Sequence, residues 1–123
     1  MPKIDYNGAL NCTLTVGSLD AAIDWYERVL GFKVRARMDQ IHFAVMETGV
    51  PGVVLGLGEG EATGSGSTEL TWGVSDIEAA EAAFKASGGQ PHGPISAIPG
   101  VVRLLSFSDP DGNKHQFWAP PRA

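Results

Sequence analysis

Two stretches of the chain decide its fold: TLTVGSLDAA at Thr13–Ala22 and TWGVSDIEAA at Thr71–Ala80. They align when the sequence is shifted by 58 residues, and four of the ten aligned positions are identical. Beyond these stretches, Tyr26 aligns with Phe84. The order of a strand pattern, a capped helix and a glycine is also the same in both copies. We therefore interpret the chain as an internal duplication.

Each copy begins with a strand pattern that leads into a helix pattern. Apolar and polar residues alternate over Leu10–Val16 and over Glu69–Val74, which predicts strands with one apolar face. Ser18 and Asp76 can accept hydrogen bonds from the free N–H groups of a first helical turn. Gly31 can end the first helix, because glycine reaches the left-handed conformation without a Cβ clash.

Three shorter strand candidates follow each helix. In the first half they are Lys33–Met38, Gln40–Glu47 and Gly52–Leu57; in the second half they are a weak one near Gln90–Ile95, then Val101–Ser108 and Lys114–Ala119. The pattern predicts an α+β protein, a single domain over residues 1–123. It would contain two βαβββ modules, about 8–58 and 69–119, joined by a Gly-rich linker at 58–68. They would form a curved mixed sheet around a pocket, with the helices on its outer face.

Composition narrows the class of protein. The net charge is −5 and the basic residues are scattered, so we expect neither a nucleic-acid partner nor an anionic membrane surface. No apolar run approaches the roughly 18 residues that span a bilayer. Cys12 is the single cysteine, so it cannot form a disulfide within the chain. We expect a cytoplasmic protein on this basis.

The sequence resembles the vicinal oxygen chelate superfamily, which includes glyoxalase I, bleomycin-resistance proteins and extradiol dioxygenases. The resemblance rests on LTVGSLDAAIDWYERVLGF (Leu14–Phe32), on Leu70–Gly89 and on FSDPDGNKHQFW (Phe107–Trp118), where an Asp-Pro-Asp-Gly-Asn turn precedes the final strand. It implies the paired βαβββ fold and a small-molecule pocket. Members pair such modules within or between chains, so a homodimer is expected.

The resemblance also indicates where metal ligands would lie. In metal-using members, four strand positions carry His or Glu, and here they fall on Asn11, Leu55, Glu69 and Gln116. Only Glu69 is a good ligand for a transition metal, because the amides of Asn11 and Gln116 are weak donors and Leu55 has none. We therefore predict no metal and no cofactor.

The candidate ligand-binding residues follow from strand alternation and from the resemblance. They are Asn11, Thr13, His42, Leu55, Glu69, Thr71, Arg103, Gln116 and Trp118. Several keep a second interpretation. Trp118 could stack on a flat ligand or pack equally well in the core. His42 could instead be a surface residue. Arg103 could bind an anionic ligand group or lie at a sheet edge.

Two functions fit these residues. The first is a metal-independent protein of the bleomycin-resistance type that binds or sequesters an aromatic or hydrophobic small molecule. The alternative is a superfamily enzyme, a lyase, isomerase or ring-modifying enzyme, in which Glu69 is the catalytic base or His42 contributes to an atypical metal site. Whether the protein is an enzyme stays open at this point.

Overall fold

The computed structural model describes residues 3–122. Its elements, in chain order, are β1 (Leu10–Val16), α1 (Leu19–Leu30), β2 (Lys33–Met38), β3 (Phe43–Glu47), β4 (Val53–Glu59), β5 (Glu69–Gly73), α2 (Ile77–Ala86), β6 (Ser96–Ile98), β7 (Val102–Ser108) and β8 (Lys114–Ala119). A short 3₁₀ turn, Asp39–Ile41, precedes β3. Neither helix in this range is long and apolar enough to cross a membrane.

The strands form two mixed four-stranded sheets with the same order. The first sheet runs β1-β4-β3-β2 and the second β5-β8-β7-β6. In each sheet the strand before the helix pairs in parallel with the last strand, and the other pairs are antiparallel. The α+β class and the repeated βαβββ order are thereby confirmed, because both copies of the duplicated sequence build the same topology.

The two helices begin and end largely where their capping residues predict. Ser18 accepts a hydrogen bond from the backbone N–H of Ala21 at 3.2 Å, and Asp76 accepts one from Ala79 at 3.1 Å. Gly31 ends α1 with φ at 72°, a left-handed value that favours glycine.

The helix-covered faces of the two sheets share a large hydrophobic core, and a smaller cluster of Ile77, Leu105 and Ala119 lies under α2. The first helix contributes side chains that pack against both halves: its Trp25 ring lies 6.4 Å from that of Phe107, and its Tyr26 ring lies 5.7 Å from that of His115. Phe84 of α2 joins the same cluster. Because α1 contacts β-strands of both halves, neither half has a complete core alone.

The Asp-Pro-Asp-Gly-Asn turn between β7 and β8 also joins the halves. Its Asp111 accepts a hydrogen bond from the backbone N–H of Gly17 at 3.0 Å, and its Asn113 donates one to the carbonyl of Thr15 at 3.0 Å. Both partners lie at the junction between β1 and α1. A turn of the second half therefore fixes the start of the first helix.

Two strand predictions need correction. Gln90–Ile95 forms no strand, since its prolines cannot donate to a ladder, and β6 is the three-residue segment Ser96–Ile98. The predicted strand Gln40–Glu47 starts only at Phe43. His42, just before it, adopts φ 53° and ψ 49°, which breaks the extended chain.

Candidate functional site

Each sheet has a second face, opposite the helices, which we call the open face. The strand registers place the following residues there. On the first sheet they are Asn11, Thr13, Thr15, Phe43, Val45, Glu47, Val54, Gly56 and Gly58. On the second they are Glu69, Thr71, Gly73, Leu104, Ser106, Ser108, Lys114, Gln116 and Trp118.

Most of the predicted binding residues lie on these open faces. Asn11, Thr13, Glu69 and Thr71 are exposed there, as the alternation in β1 and β5 indicates. The Gln116 amide donates to the hydroxyl of Thr71 at 2.8 Å. The open face of the second sheet is thus partly polar, and one of its amides already has a hydrogen-bond partner.

Trp118 lies on the open face and not in the core. It is 40% exposed and rests against Gly73 of the neighbouring strand. A Cβ atom on Gly73 would lie 3.0 Å from Nε1 of Trp118 and 3.2 Å from its Cε2. Glycine at this position therefore lets the indole approach the backbone of β5 closely.

Asn11 and Glu69 occupy equivalent register positions but border different clefts. Asn11 pairs with Val54, and Glu69 pairs with Lys114. Asn11 lines a cleft of about 650 Å³ together with Arg35 and Glu47. Glu69 lines a smaller cleft of about 240 Å³ between the halves. Within a single chain, Asn11 and Glu69 therefore line separate clefts.

The placement expected for Leu55 is wrong. Leu55 pairs with Cys12, on the helix-covered face, and is fully buried in the shared core. The register instead pairs Thr13 with Gly56 and Thr71 with Gln116. Since Thr13 and Thr71 are equivalent in the duplication, Gly56 is the counterpart of Gln116 on the open face.

The placement expected for Arg103 is also wrong. Arg103 pairs with Ala119 on the helix-covered face, and its side chain is 14% exposed. It forms an ion pair with Glu78 of α2, and this hydrogen bond lowers the pKa of the Glu78 carboxyl. Arg103 thus fastens α2 to its sheet and does not reach the open face.

His42 lies at the surface. Its side chain is exposed, and its Nδ1 lies 3.7 Å from the carboxylate of Glu59. That carboxylate accepts a hydrogen bond from the backbone N–H of Leu19 at 2.8 Å, at the start of α1. His42 therefore lies near the N-terminus of α1, and of its two interpretations the surface residue agrees with the structure.

Sequence reasoning missed a chain of buried polar groups that crosses the shared core. The Tyr26 hydroxyl donates to Asp109 at 2.7 Å and lies 2.9 Å from Nε2 of His115. The indole N–H of Trp72 donates to Nδ1 of His115 at 3.0 Å. The sequence signal was present, since Tyr26 and Asp109 both lie in the segments that resemble the superfamily, but nothing in their spacing showed that they meet.

The protonation states along this chain follow from its hydrogen bonds. Because Nδ1 of His115 accepts from Trp72, the ring proton lies on Nε2, which donates to the Tyr26 oxygen. Burial lowers the pKa of His115 to about 4 and, together with Asp109, raises that of Tyr26 well above its ordinary value. Both groups are therefore neutral at pH 7.

The open faces carry few transition-metal donors at the four positions that the resemblance singles out. The corrected set of positions is Asn11, Gly56, Glu69 and Gln116, so one carboxylate remains among two amides and a residue with no side-chain donor. Zinc and iron sites use imidazole, thiolate or several carboxylates. In residues 3–122, no three side chains of His, Cys, Asp or Glu lie close enough together to hold a metal ion.

Two βαβββ modules with matching sheets and polar open faces define a protein of the vicinal oxygen chelate class. The chain belongs to the Glyoxalase/Bleomycin resistance protein/Dioxygenase superfamily, whose sequence profile matches residues 8–117. No curated protein matches the sequence significantly.

Solved structures show the same fold at low sequence identity. A glyoxalase/bleomycin resistance protein/dioxygenase from Nocardioides is 22% identical, with a TM-score of 0.79, and covers 98% of this chain and 88% of its own. TnmS3, an antibiotic binding protein from Streptomyces sp. CB03234, is 24% identical, with a TM-score of 0.77 over 98% of this chain and 99% of its own. TioX from Micromonospora sp. ML1 is 23% identical, with a TM-score of 0.74 over 91% and 98%.

Proposed function

We propose that this protein binds a planar aromatic or hydrophobic small molecule on its open faces, in the manner of the bleomycin-resistance proteins, without a metal. The donor set carries this proposal: the four positions hold two amides, one carboxylate and a glycine. Such a set can form hydrogen bonds with an organic ligand, but it is too poor in charge to hold a catalytic metal.

The surroundings of these positions support binding of an organic molecule. Trp118 presents a partly exposed indole, which offers a large apolar surface with one polar N–H group. The cleft beside Asn11 has a volume of about 650 Å³, within the range of small-molecule sites. The structural similarity to TnmS3, an antibiotic binding protein, favours the same kind of occupant.

We also propose that the site is completed in a homodimer. The helix-covered faces of one chain share a core, so the two open faces remain outside it. β1 and β5, which carry Asn11 and Glu69, are edge strands of their sheets and can approach another copy. Light scattering coupled to gel filtration would measure the mass in solution, and a monomer at micromolar concentration would refute the dimer.

The metal content of the purified protein tests the proposal directly. We expect substoichiometric Zn, Ni, Mn and Fe by elemental analysis. A stoichiometric amount of any of them that is lost in a Glu69→Gln variant would overturn the metal-free function. Glu61→Gln, a change at an exposed carboxylate of the linker, is the matched control.

A thermal-shift screen of planar aromatic compounds then tests binding. We expect at least one hit that raises the melting temperature in a concentration-dependent way, because a ligand that binds only the folded state stabilises it. A screen without hits would refute the binding function. If a hit is chemically converted by the wild type and only bound by Glu69→Gln, the protein is an enzyme and Glu69 is its base.

A further inference from the structure

A second aromatic side chain, Phe43, occupies the open face of the first sheet. Its ring extends along the neighbouring strand β4 across two glycines. A Cβ atom on Gly56 would lie 2.6 Å from Cζ of Phe43, and one on Gly58 would lie 3.5 Å from its Cδ1. The first distance is too short for any real side chain, so only glycine at Gly56 permits this position of the ring.

Polar atoms border the same place. The position of a Cβ on Gly56 is 3.1 Å from the hydroxyl of Thr13 and 3.2 Å from the side-chain oxygen of Asn11. The Phe43 ring therefore lies beside two hydrogen-bonding groups of β1. An apolar surface with a few polar groups at its border is the usual composition of a small-molecule site.

The duplication places Trp118 in the corresponding location of the second half. Phe43 pairs with Gly58, and Leu104 pairs with Trp118. With Gly56 equivalent to Gln116, these two pairs are equivalent as well. Each half thus carries one aromatic ring at this residue pair. The ring comes from β3 in the first half and from β8 in the second. Each ring rests on a glycine of a neighbouring strand.

We propose that Phe43 is a ligand-contacting residue whose ring supports the planar part of the ligand, while Asn11 and Thr13 bind polar atoms at the ligand's edge. This inference rests on the proposed binding function and adds a residue and a ligand geometry to it. The outer side of the Phe43 ring is available for contact, since the residue is only partly buried. Stacking on such a ring selects planar ligands, because a saturated ring cannot approach it as closely.

Two fluorescent probes of equal charge test the stacking. One is 9-aminoacridine, which is fully aromatic, and the other is its tetrahydro analogue tacrine, in which one ring is saturated. We expect the wild type to bind 9-aminoacridine more tightly than tacrine. Phe43→Leu should weaken 9-aminoacridine about tenfold and reduce the preference between the probes, whereas Phe43→Tyr should retain both.

Further variants separate stacking from misfolding and from nonspecific adsorption. Gly56→Ala leaves Phe43 in place in the sequence but displaces its ring, so it should reproduce the loss seen in Phe43→Leu. Tyr6→Leu, at an aromatic residue that is 80% exposed and outside the sheets, should bind like the wild type. The melting temperature of each variant reports whether it is folded.

The outcomes distinguish this inference from the function on which it rests. If the thermal-shift screen yields hits but Phe43→Leu binds both probes as the wild type does, the role of Phe43 is overturned and the binding function stands. Equal weakening of both probes refutes stacking, as does a wild type that binds neither. A screen without hits overturns the binding function itself.

Discussion

The indole N–H of Trp72 donates a 3.0 Å hydrogen bond to Nδ1 of the buried His115. This contact needs a neutral imidazole, because a protonated Nδ1 would be a donor facing another donor. His115 is 1% exposed and lies between the two halves of the chain, next to Tyr26. A single proton added to its ring would therefore disrupt the polar chain that crosses the shared core.

We predict that the protein loses stability as the pH falls below about 6.5. The unfolded chain binds a proton at His115 with the ordinary pKa of 6.5, whereas burial lowers the folded value to about 4. The contribution of neutral His115 to the free energy of unfolding is therefore complete above pH 6.5. It is lost as the pH falls toward 4, and the total loss is about 3 kcal/mol. Urea unfolding at pH 7 and pH 5 should show about 2 kcal/mol of this loss, because pH 5 still lies above the folded pKa.

A matched pair of variants assigns this pH dependence to His115. His115→Asn retains an acceptor near Trp72 but cannot titrate, so its stability should depend less on pH even though its absolute stability is lower. His92→Gln removes an exposed histidine and should keep the slope of the wild type. Equal slopes in all three proteins would contradict the assignment.

Tyr26→Phe should destabilise the fold by about 1–3 kcal/mol, because Asp109 and His115 each lose a buried hydrogen-bond partner. Urea unfolding at pH 7 is the measurement. Tyr6→Phe is the control, since Tyr6 is exposed and its hydroxyl should contribute nothing measurable. A similar change in both variants would mean that the Tyr26 hydroxyl has no structural role.

Gly31→Ala should lower the stability of the fold by about 1 kcal/mol or more. The alanine would have to adopt the left-handed backbone conformation at φ 72°, which its Cβ disfavours. Apart from the adjoining backbone and the two neighbouring residues, no atom of residues 3–122 lies within 4 Å of that Cβ, so the cost is one of backbone conformation and not of crowding. Gly93→Ala also has open space but no positive φ, and it should be neutral or slightly stabilising. Thermal melts of the two variants test this difference.

Arg103→Gln should leave ligand binding within about twofold of the wild type, because Arg103 lies on the helix-covered face and contacts Glu78. Gln116→Ala, on the open face, should weaken the same ligand. Isothermal titration with a hit from the screen compares them. Selective loss of binding in Arg103→Gln would return this residue to the site.

The sequence was informative where pattern and chemistry are local. The alternation in β1 and β5 placed Asn11 and Glu69 on the open faces, and the capping oxygens of Ser18 and Asp76 marked the helix starts. The superfamily resemblance added the pairing of the two modules, which local patterns do not contain.

The predictions were wrong where the face of the sheet on which a side chain lies is decided by pairing with a neighbouring strand. Val53, Val54 and Leu55 form one apolar run, so alternation does not say which of them faces the core, and only pairing with Cys12 decides it. Arg103 sits in a similar run, and its facing depends on pairing with Ala119. The left-handed turn at His42 was hidden because Gln40–Glu47 has the composition of a strand.

The shared core separates two kinds of constraint on this chain. Side chains of α1 must fit strands from both halves at once, so an exchange there disturbs the whole molecule. The open faces lie outside that core, so an exchange at an exposed position such as Asn11 or Glu69 does not alter the packing of α1. The chemistry of the open faces can therefore change while the duplicated architecture persists.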